Sequence, residues 1–151
     1  MLFNKEDIYF NVEAENREDL IRKMSKIFKE QGYIKDGYEE SLIEREKNYP
    51  TGLNFEKYFV AIPHTTYSLI NSQRIVFVRL KNEVEFGEMG TNEKQLKVKV
   101  VLFLLIKKGE EQVTVLLNLM KILGDEDCYN TLEKSEDKEE VYNILVNKYG
   151  K

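Results

Sequence analysis

The residues best placed to do chemistry in this chain are a histidine and an arginine. His64 is the only histidine, and it follows Val60-Ala61-Ile62-Pro63, an apolar run that reads as a short buried strand ended by a proline. Ends of strands in open α/β sheets are where ligands and catalytic groups collect. Arg45 sits in Glu44-Arg45-Glu46, ahead of Tyr49-Pro50-Thr51-Gly52-Leu53, which reads as a helix end followed by a turn. A neutral imidazole is a good nucleophile near pH 7, because its unperturbed pKa is about 6.5. A guanidinium fork can hold the equatorial oxygens of a phosphoryl group as charge spreads over them, which a lysine point charge cannot match. The pair suggests phosphoryl chemistry. Attack by the imidazole on phosphorus gives a phosphoramidate, whose N–P bond is labile enough to pass the group on, so a relay suits it better than a hydrolase.

Each residue also has a plainer reading. His64 is compatible with a capped surface imidazole that happens to follow a proline; its strand-end place, the apolar approach and the nearby arginine weigh against that. Arg45 is compatible with a helix-surface charge paired along the helix, worth roughly a few tenths of a kcal/mol. Thr51 could donate its hydroxyl to a phosphoryl group, whereas Gly52 reads as turn chemistry. Thr65 and Thr66 are candidates by adjacency only. Phe55, Tyr58 and Tyr67 flank the motif as aromatic candidates for a docking rim, and each is equally compatible with a core position. Cys128 shares an apolar helical face with Leu132 and reads as core. The nine tyrosines are scattered and show no stacking pattern.

The elements that must position these groups follow from periodicity. Glu6 to Val12 predicts a first strand with Ile8, Phe10 and Val12 on one face. Asn16 predicts the cap of a helix bearing Leu20, Ile21, Met24, Ile27 and Phe28, ended at Gly32. Asp36 with Glu39 predicts a capping box for a second helix through Leu42 and Ile43. That helix must stop near Asn48, because Pro50 drives Tyr49 out of the α region, and this places Arg45 in its last turn. Tyr58 to Ile62 predicts the strand that delivers His64. Gln73 to Lys81 predicts a strand apolar on both faces, Glu83 to Phe86 a further short one, and Glu88 to Lys94 a loop. Leu96 to Ile106 predicts a central strand. Glu110 to Leu123 predicts a helix whose buried face carries Val113, Leu116, Leu117 and Met120, with Gly124 as its C-cap. Asp125 to Leu132 predicts a short helix, and Ser135 the cap of a last one with Val141, Ile144, Leu145 and Tyr149. The expected class is α/β (α+β): a three-layer α/β/α sandwich around a mixed sheet. Strand order is not legible at this level.

Composition narrows the function. At 151 residues the chain is expected to form one domain over 1–151, able to bury a single core. Its 33% charged residues and net charge of -4 speak against a nucleic-acid partner, although a small basic patch can hide in an acidic total. The longest apolar run, Val98 to Ile106, is broken by Lys99 and is too short to span a membrane. The N-terminus lacks the basic region and apolar core of a signal peptide, so a cytoplasmic location without membrane insertion is expected. One cysteine and one histidine leave no internal disulfide and no soft-ligand cluster for a metal.

With these spacings, Arg45-Glu46, Pro50-Thr51-Gly52-Leu53 and Ala61-Ile62-Pro63-His64 resemble the IIA component of the sugar phosphotransferase system, in its fructose/mannitol/galactitol superfamily (EIIA type 2). The segment Tyr49 to Leu53 and the glutamine at Gln112 bring it nearest the galactitol branch. The resemblance covers nearly the whole chain and implies a mannitol-type IIA fold. It implies that His64 accepts a phosphoryl group from phosphorylated HPr, through Nε2, and hands it to a cysteine on a IIB component. Arg45 would stabilise the phosphoryl group, with Thr51 and Gln112 in the site and no cofactor or metal. Mannitol-type relatives carry a second histidine where Gln112 stands, so a two-histidine mechanism is closed to this chain. A regulatory IIA-like module, phosphorylated on the same histidine but acting by binding a transporter or transcription factor, is the alternative. A degenerate domain that never receives phosphate is opposed by the retained His64, Arg45 and Pro50-Thr51-Gly52.

Overall fold

A computed structural model describes residues 2–91 and 94–151. Five strands, β1 (Ile8–Val12), β2 (Gly52–Asn54), β3 (Phe59–Ala61), β4 (Arg74–Gly87) and β5 (Gln95–Leu105), form one sheet in the order β1-β4-β5-β3-β2. The sheet is mixed: β1 runs parallel to β4 and β3 to β5, while the β4–β5 and β2–β3 pairs are antiparallel. Helices α1 (Arg17–Glu30) and α2 (Tyr38–Asn48) cover one face; α3 (Gly109–Leu123), α4 (Glu126–Lys134) and α5 (Lys138–Lys148) cover the other. The expected three-layer α/β/α arrangement is the one observed.

Strand β5 shows how the layers are joined. Val100, Leu102 and Leu104 enter the core shared with α3, α4 and α5, while Val101, Phe103 and Leu105 enter the core under α1 and α2. That alternation is the period of two of a pleated strand, with both faces buried. The predicted strands over 73–81 and 83–86 are one long strand, β4, whose pairing with β5 slips between Arg79 and Val84. A local irregularity of this kind bends a ladder without ending it. β1 departs in a similar way. Asn11 takes a positive φ of 55°, so Ile8 and Phe10 pack in one core and Val12 in the other, not all three on one face.

The helix starts follow local chemistry. Asn16 caps α1 by accepting the Asp19 N–H at 2.8 Å, and Gly32, at φ 78°, follows its last turn. α2 begins instead after Gly37 at φ 94°, with no side-chain cap, and Asp36 pairs with Lys29 at 3.0 Å. The expected capping box is absent because the helix starts one residue later, with Gly37, which has no side chain to cap with, at the N-cap position. Ser135 closes α4 and does not cap α5; that role falls to Asp137, which accepts the Glu139 N–H at 2.9 Å.

The largest correction concerns α3. Val115, Leu119, Ile122 and Leu123 are its buried face, while Val113 and Leu117 are 62% and 58% exposed. The helix is apolar on two sides, and packing against β5 and α4 selects the other one.

Candidate active site

Each group of the site is delivered by an element that the sequence forces to end. α2 stops at Asn48 because Pro50 follows, which leaves Arg45 and Asn48 on its last turn and Tyr49 beyond it. The turn passes through Pro50 and Thr51 into β2. β3 ends at Ala61, and Pro63 precedes His64. Between these ends lies a cleft of about 440 Å³, lined by Arg45, Asn48, Tyr49, Pro50, Thr51 and His64. Met89 and Gly90, just past β4, and Leu116 of α3 complete its wall.

His64 is half-buried, and its Nδ1 lies 2.8 Å from the Ile62 carbonyl oxygen. A carbonyl only accepts, so in the neutral ring the Nδ1–H donates and Nε2 carries the free lone pair. Burial pulls the imidazole pKa below its ordinary value; the Ile62 bond opposes this, and the Arg45 charge lowers it further. The net effect favours the neutral ring at neutral pH. Arg45 is exposed, with its guanidinium 5.1 Å from the centre of the Tyr49 ring. No carboxylate comes within ion-pair distance of it among the described residues.

Thr51 lines the cleft, yet it is almost wholly buried and its hydroxyl donates to Glu46 Oε1 at 2.8 Å. Its N–H donates to Glu46 Oε2, also at 2.8 Å. The Glu46 carboxylate, 3% exposed, therefore spends both oxygens on one residue. Burial raises its pKa, and the two bonds from Thr51 and the Arg17 charge hold that rise back. Gly52 is required by contact and not by turn geometry: a Cβ there would lie 2.5 Å from the Gly87 carbonyl oxygen, so β2 crosses the end of β4 at backbone distance. Gln112 does not line the cleft. Its Nε2 donates to the Thr65 carbonyl oxygen at 3.4 Å, which ties the first turn of α3 to the residue after His64. Thr65 is buried beside Ser41, with the two hydroxyls in hydrogen-bond contact.

The structure thus brings His64, Arg45 and Thr51 into one cleft and leaves Gln112 beside it. Sequence reasoning missed Met89, Gly90 and Leu116, which come from distant parts of the chain, and gave no role to Glu46. Of the proposed docking aromatics only Tyr67 is exposed; Phe55 and Tyr58 pack against the core, and Tyr58 stacks on Tyr129 at 3.9 Å. The tyrosines therefore do stack, through partners 71 positions apart that no local spacing reveals. Cys128 is buried, as its apolar face implied.

A profile described as "Phosphoenolpyruvate-dependent sugar phosphotransferase system, EIIA 2" matches residues 1–148. The chain belongs to that family and is by that membership a phosphotransferase-system component. A mannitol-specific EIICBA component from Buchnera aphidicola subsp. Acyrthosiphon pisum is 30% identical over 146 residues, which is 95% of this chain but 22% of that protein. The chain thus spans about a fifth of that relative. The galactitol-specific EIIA component of Escherichia coli K12 is also 30% identical, over 101 residues and 67% of each chain. Among solved structures, the Escherichia coli complex of enzyme IIA-mannitol with phosphorylated enzyme IIB-mannitol matches with a TM-score of 0.79 at 24% identity, covering 96% of this chain and 97% of that one. That likeness bears on the fold. Mannitol- and galactitol-specific proteins are equally similar to this chain, the former over more of its length.

Proposed function

We propose that residues 1–151 work as one cytoplasmic phosphocarrier module of the galactitol/polyol type, with His64 as the residue that carries the phosphoryl group. The observation that supports this most directly is the bond from His64 Nδ1 to the Ile62 carbonyl, which leaves the Nε2 lone pair available in a cleft that also holds the Arg45 guanidinium. In the first step the Nε2 lone pair attacks the phosphorus of phosphorylated HPr; an N–P bond forms at His64, and the bonding pair of the old N–P bond returns to HPr. In the second, a IIB cysteine thiolate attacks the same phosphorus, and the pair returns to Nε2. Arg45 holds the equatorial oxygens in both steps. Catalysis then rests on positioning and charge, with the imidazole as the only covalent participant.

Such a relay must offer one atom to two proteins in turn, which calls for a docking surface around the cleft. Val113, Leu117 and Met120, one turn apart along α3, give an exposed apolar stripe on the helix that carries Leu116 into the cleft, and Tyr49, Tyr67 and Met89 are further exposed apolar groups. We assign HPr and IIB to this shared surface. No helix among the described residues is long and apolar enough to cross a membrane, which agrees with action from solution.

The test is to mix the protein with phosphoenolpyruvate, enzyme I and HPr and to measure intact mass. One acid-labile phosphoryl group should appear on the parent and none on a folded His64→Ala variant. Labelling of that variant would sink the proposal. Transfer onward to a IIB cysteine separates the transport role from a purely regulatory one, in which the label stays on His64.

A further inference from the structure

Glu46 is buried beside the cleft, and nothing in the relay chemistry requires a carboxylate there. We propose that Glu46 is a positioning residue for His64, setting the tautomer and orientation of the imidazole through Thr51 and Ile62. The function this serves rests on the phosphocarrier reading, but the tautomer is a property of the resting protein.

Four hydrogen bonds carry the inference. His64 Nδ1–H donates to the Ile62 carbonyl at 2.8 Å, and the Ile62 N–H donates to the Thr51 carbonyl at 3.1 Å. The Thr51 N–H and hydroxyl then donate to the two oxygens of Glu46, each at 2.8 Å. Every donor along this path points the same way, from the imidazole toward the carboxylate. At Ile62 and Thr51 the accepting carbonyl and the donating N–H belong to different peptide groups, so the coupling is one of position: Glu46 fixes Thr51, Thr51 fixes the Ile62 backbone, and the Ile62 carbonyl, which can only accept, sets the Nδ1–H of His64. Glu46 and Thr51 are 3% and 2% exposed, so water cannot substitute for either partner.

The path is also the adjustable side of the His64 mount. On the other side, the Pro63 carbonyl is fixed by the Leu104 N–H of β5 at 3.0 Å. Pro63 has no N–H of its own to offer an alternative bond. Ile62 is bonded to Thr51, just beyond the Gly52–Ala61 pair of the β2–β3 ladder, and Thr51 is bonded to α2 through Glu46. Arg45 is the residue before Glu46, so the same bracket that orients the nucleophile also fixes the backbone of the phosphoryl clamp.

A residue that only caps the turn would affect stability and leave the imidazole alone. The tautomer separates the two roles. Nitrogen-15 NMR of the unphosphorylated protein, recorded above the His64 titration, should show the Nδ1–H form in the parent. In Glu46→Ala the Nε2–H form, which free imidazole side chains favour in water, should appear alongside it, and phosphoryl acceptance should slow by about tenfold or more. Glu46→Gln keeps an acceptor for the Thr51 N–H and should retain most of the Nδ1–H form. Thr51→Val removes the hydroxyl bond while keeping the N–H bond and should shift the tautomer in the same direction as Glu46→Ala, with Thr51→Ser restoring it. Should Glu46→Ala not fold, the Thr51 pair carries the test alone. An unchanged Nδ1–H form in folded Glu46→Ala, or in Thr51→Val, would overturn the proposal. If the variants show the expected tautomer shifts but the parent accepts no phosphoryl group, the relay is refuted and the positioning role stands.

Discussion

Gln112 Nε2 donates to the Thr65 carbonyl oxygen at 3.4 Å, so the amide that faces the His64 segment is bonded to backbone. Its influence on phosphoryl transfer should therefore run through the placement of residues 64 and 65. Gln112→Ala should slow acceptance modestly, by about the 0.5–1.5 kcal/mol of one neutral hydrogen bond. An amide does not titrate, so the parent should show one ionisation from the IIA side, and Gln112→His should add a second. A pH–rate series at fixed phospho-HPr, corrected for the histidine of HPr, checks both. Two ionisations in the parent, or no effect of the alanine, would reduce Gln112 to a surface residue.

Arg45 has no carboxylate to satisfy among the described residues, and its guanidinium rests near the Tyr49 ring. Its charge is thus available to a phosphoryl group. Arg45→Lys should fold with unchanged stability yet transfer at least about tenfold more slowly, a loss of roughly 1.4 kcal/mol of transition-state stabilisation. Stopped transfer assays with phospho-HPr provide the measurement. Equal rates would return Arg45 to the role of a surface charge.

Acidification should weaken the fold through His64. Its folded pKa lies below the ordinary 6.5, chiefly because burial disfavours the charged ring. As pH falls below about 6.5 the unfolded chain takes up a proton before the folded one does, so stability drops until the folded ring titrates. Above that window the His64 contribution is constant. Denaturant unfolding across pH 5 to 8 should show this slope in the parent, and His64→Gln should flatten it. The acceptance rate should rise through the same titration and level off at higher pH.

The α3 stripe should be functional and not structural. Leu117 is 58% exposed, whereas Leu119 is fully buried. Leu117→Glu should leave the melting temperature almost unchanged, as surface substitutions usually do. It should also weaken binding of both HPr and IIB, and the two partners should compete. Simultaneous binding of both without interference would defeat the shared surface.

How far the sequence carried this picture varies by residue. The helix stop at Pro50 and the strand end at Pro63 were legible because proline acts locally and in one way. They alone place Arg45 and His64 at facing ends. α3 was misread because Val113-Leu117-Met120 and Val115-Leu119-Ile122 are both apolar stripes at helical spacing, and only the neighbouring layers choose between them. Glu46 was illegible for the opposite reason. It stands in Glu44-Arg45-Glu46-Lys47, a charged run that reads as a solvated face, and its burial depends on a turn folding back over it. The single long β4 was split in two because Asn82 and Glu83 interrupt its pattern where the ladder itself shifts.

The site-bearing strands β2 and β3 are three residues each, and β3 meets β5 through only two register pairs, whereas β4 and β5 share ten. Unequal ladders open unequally. Amides in the centre of β4 and β5 should exchange with solvent only on global unfolding, while those of β2, at the sheet's edge, should be released by a smaller opening. His64 is therefore mounted on the shorter-laddered side of the sheet. Its geometry is kept by brackets such as the one between Glu46 and Thr51 more than by the length of its strands.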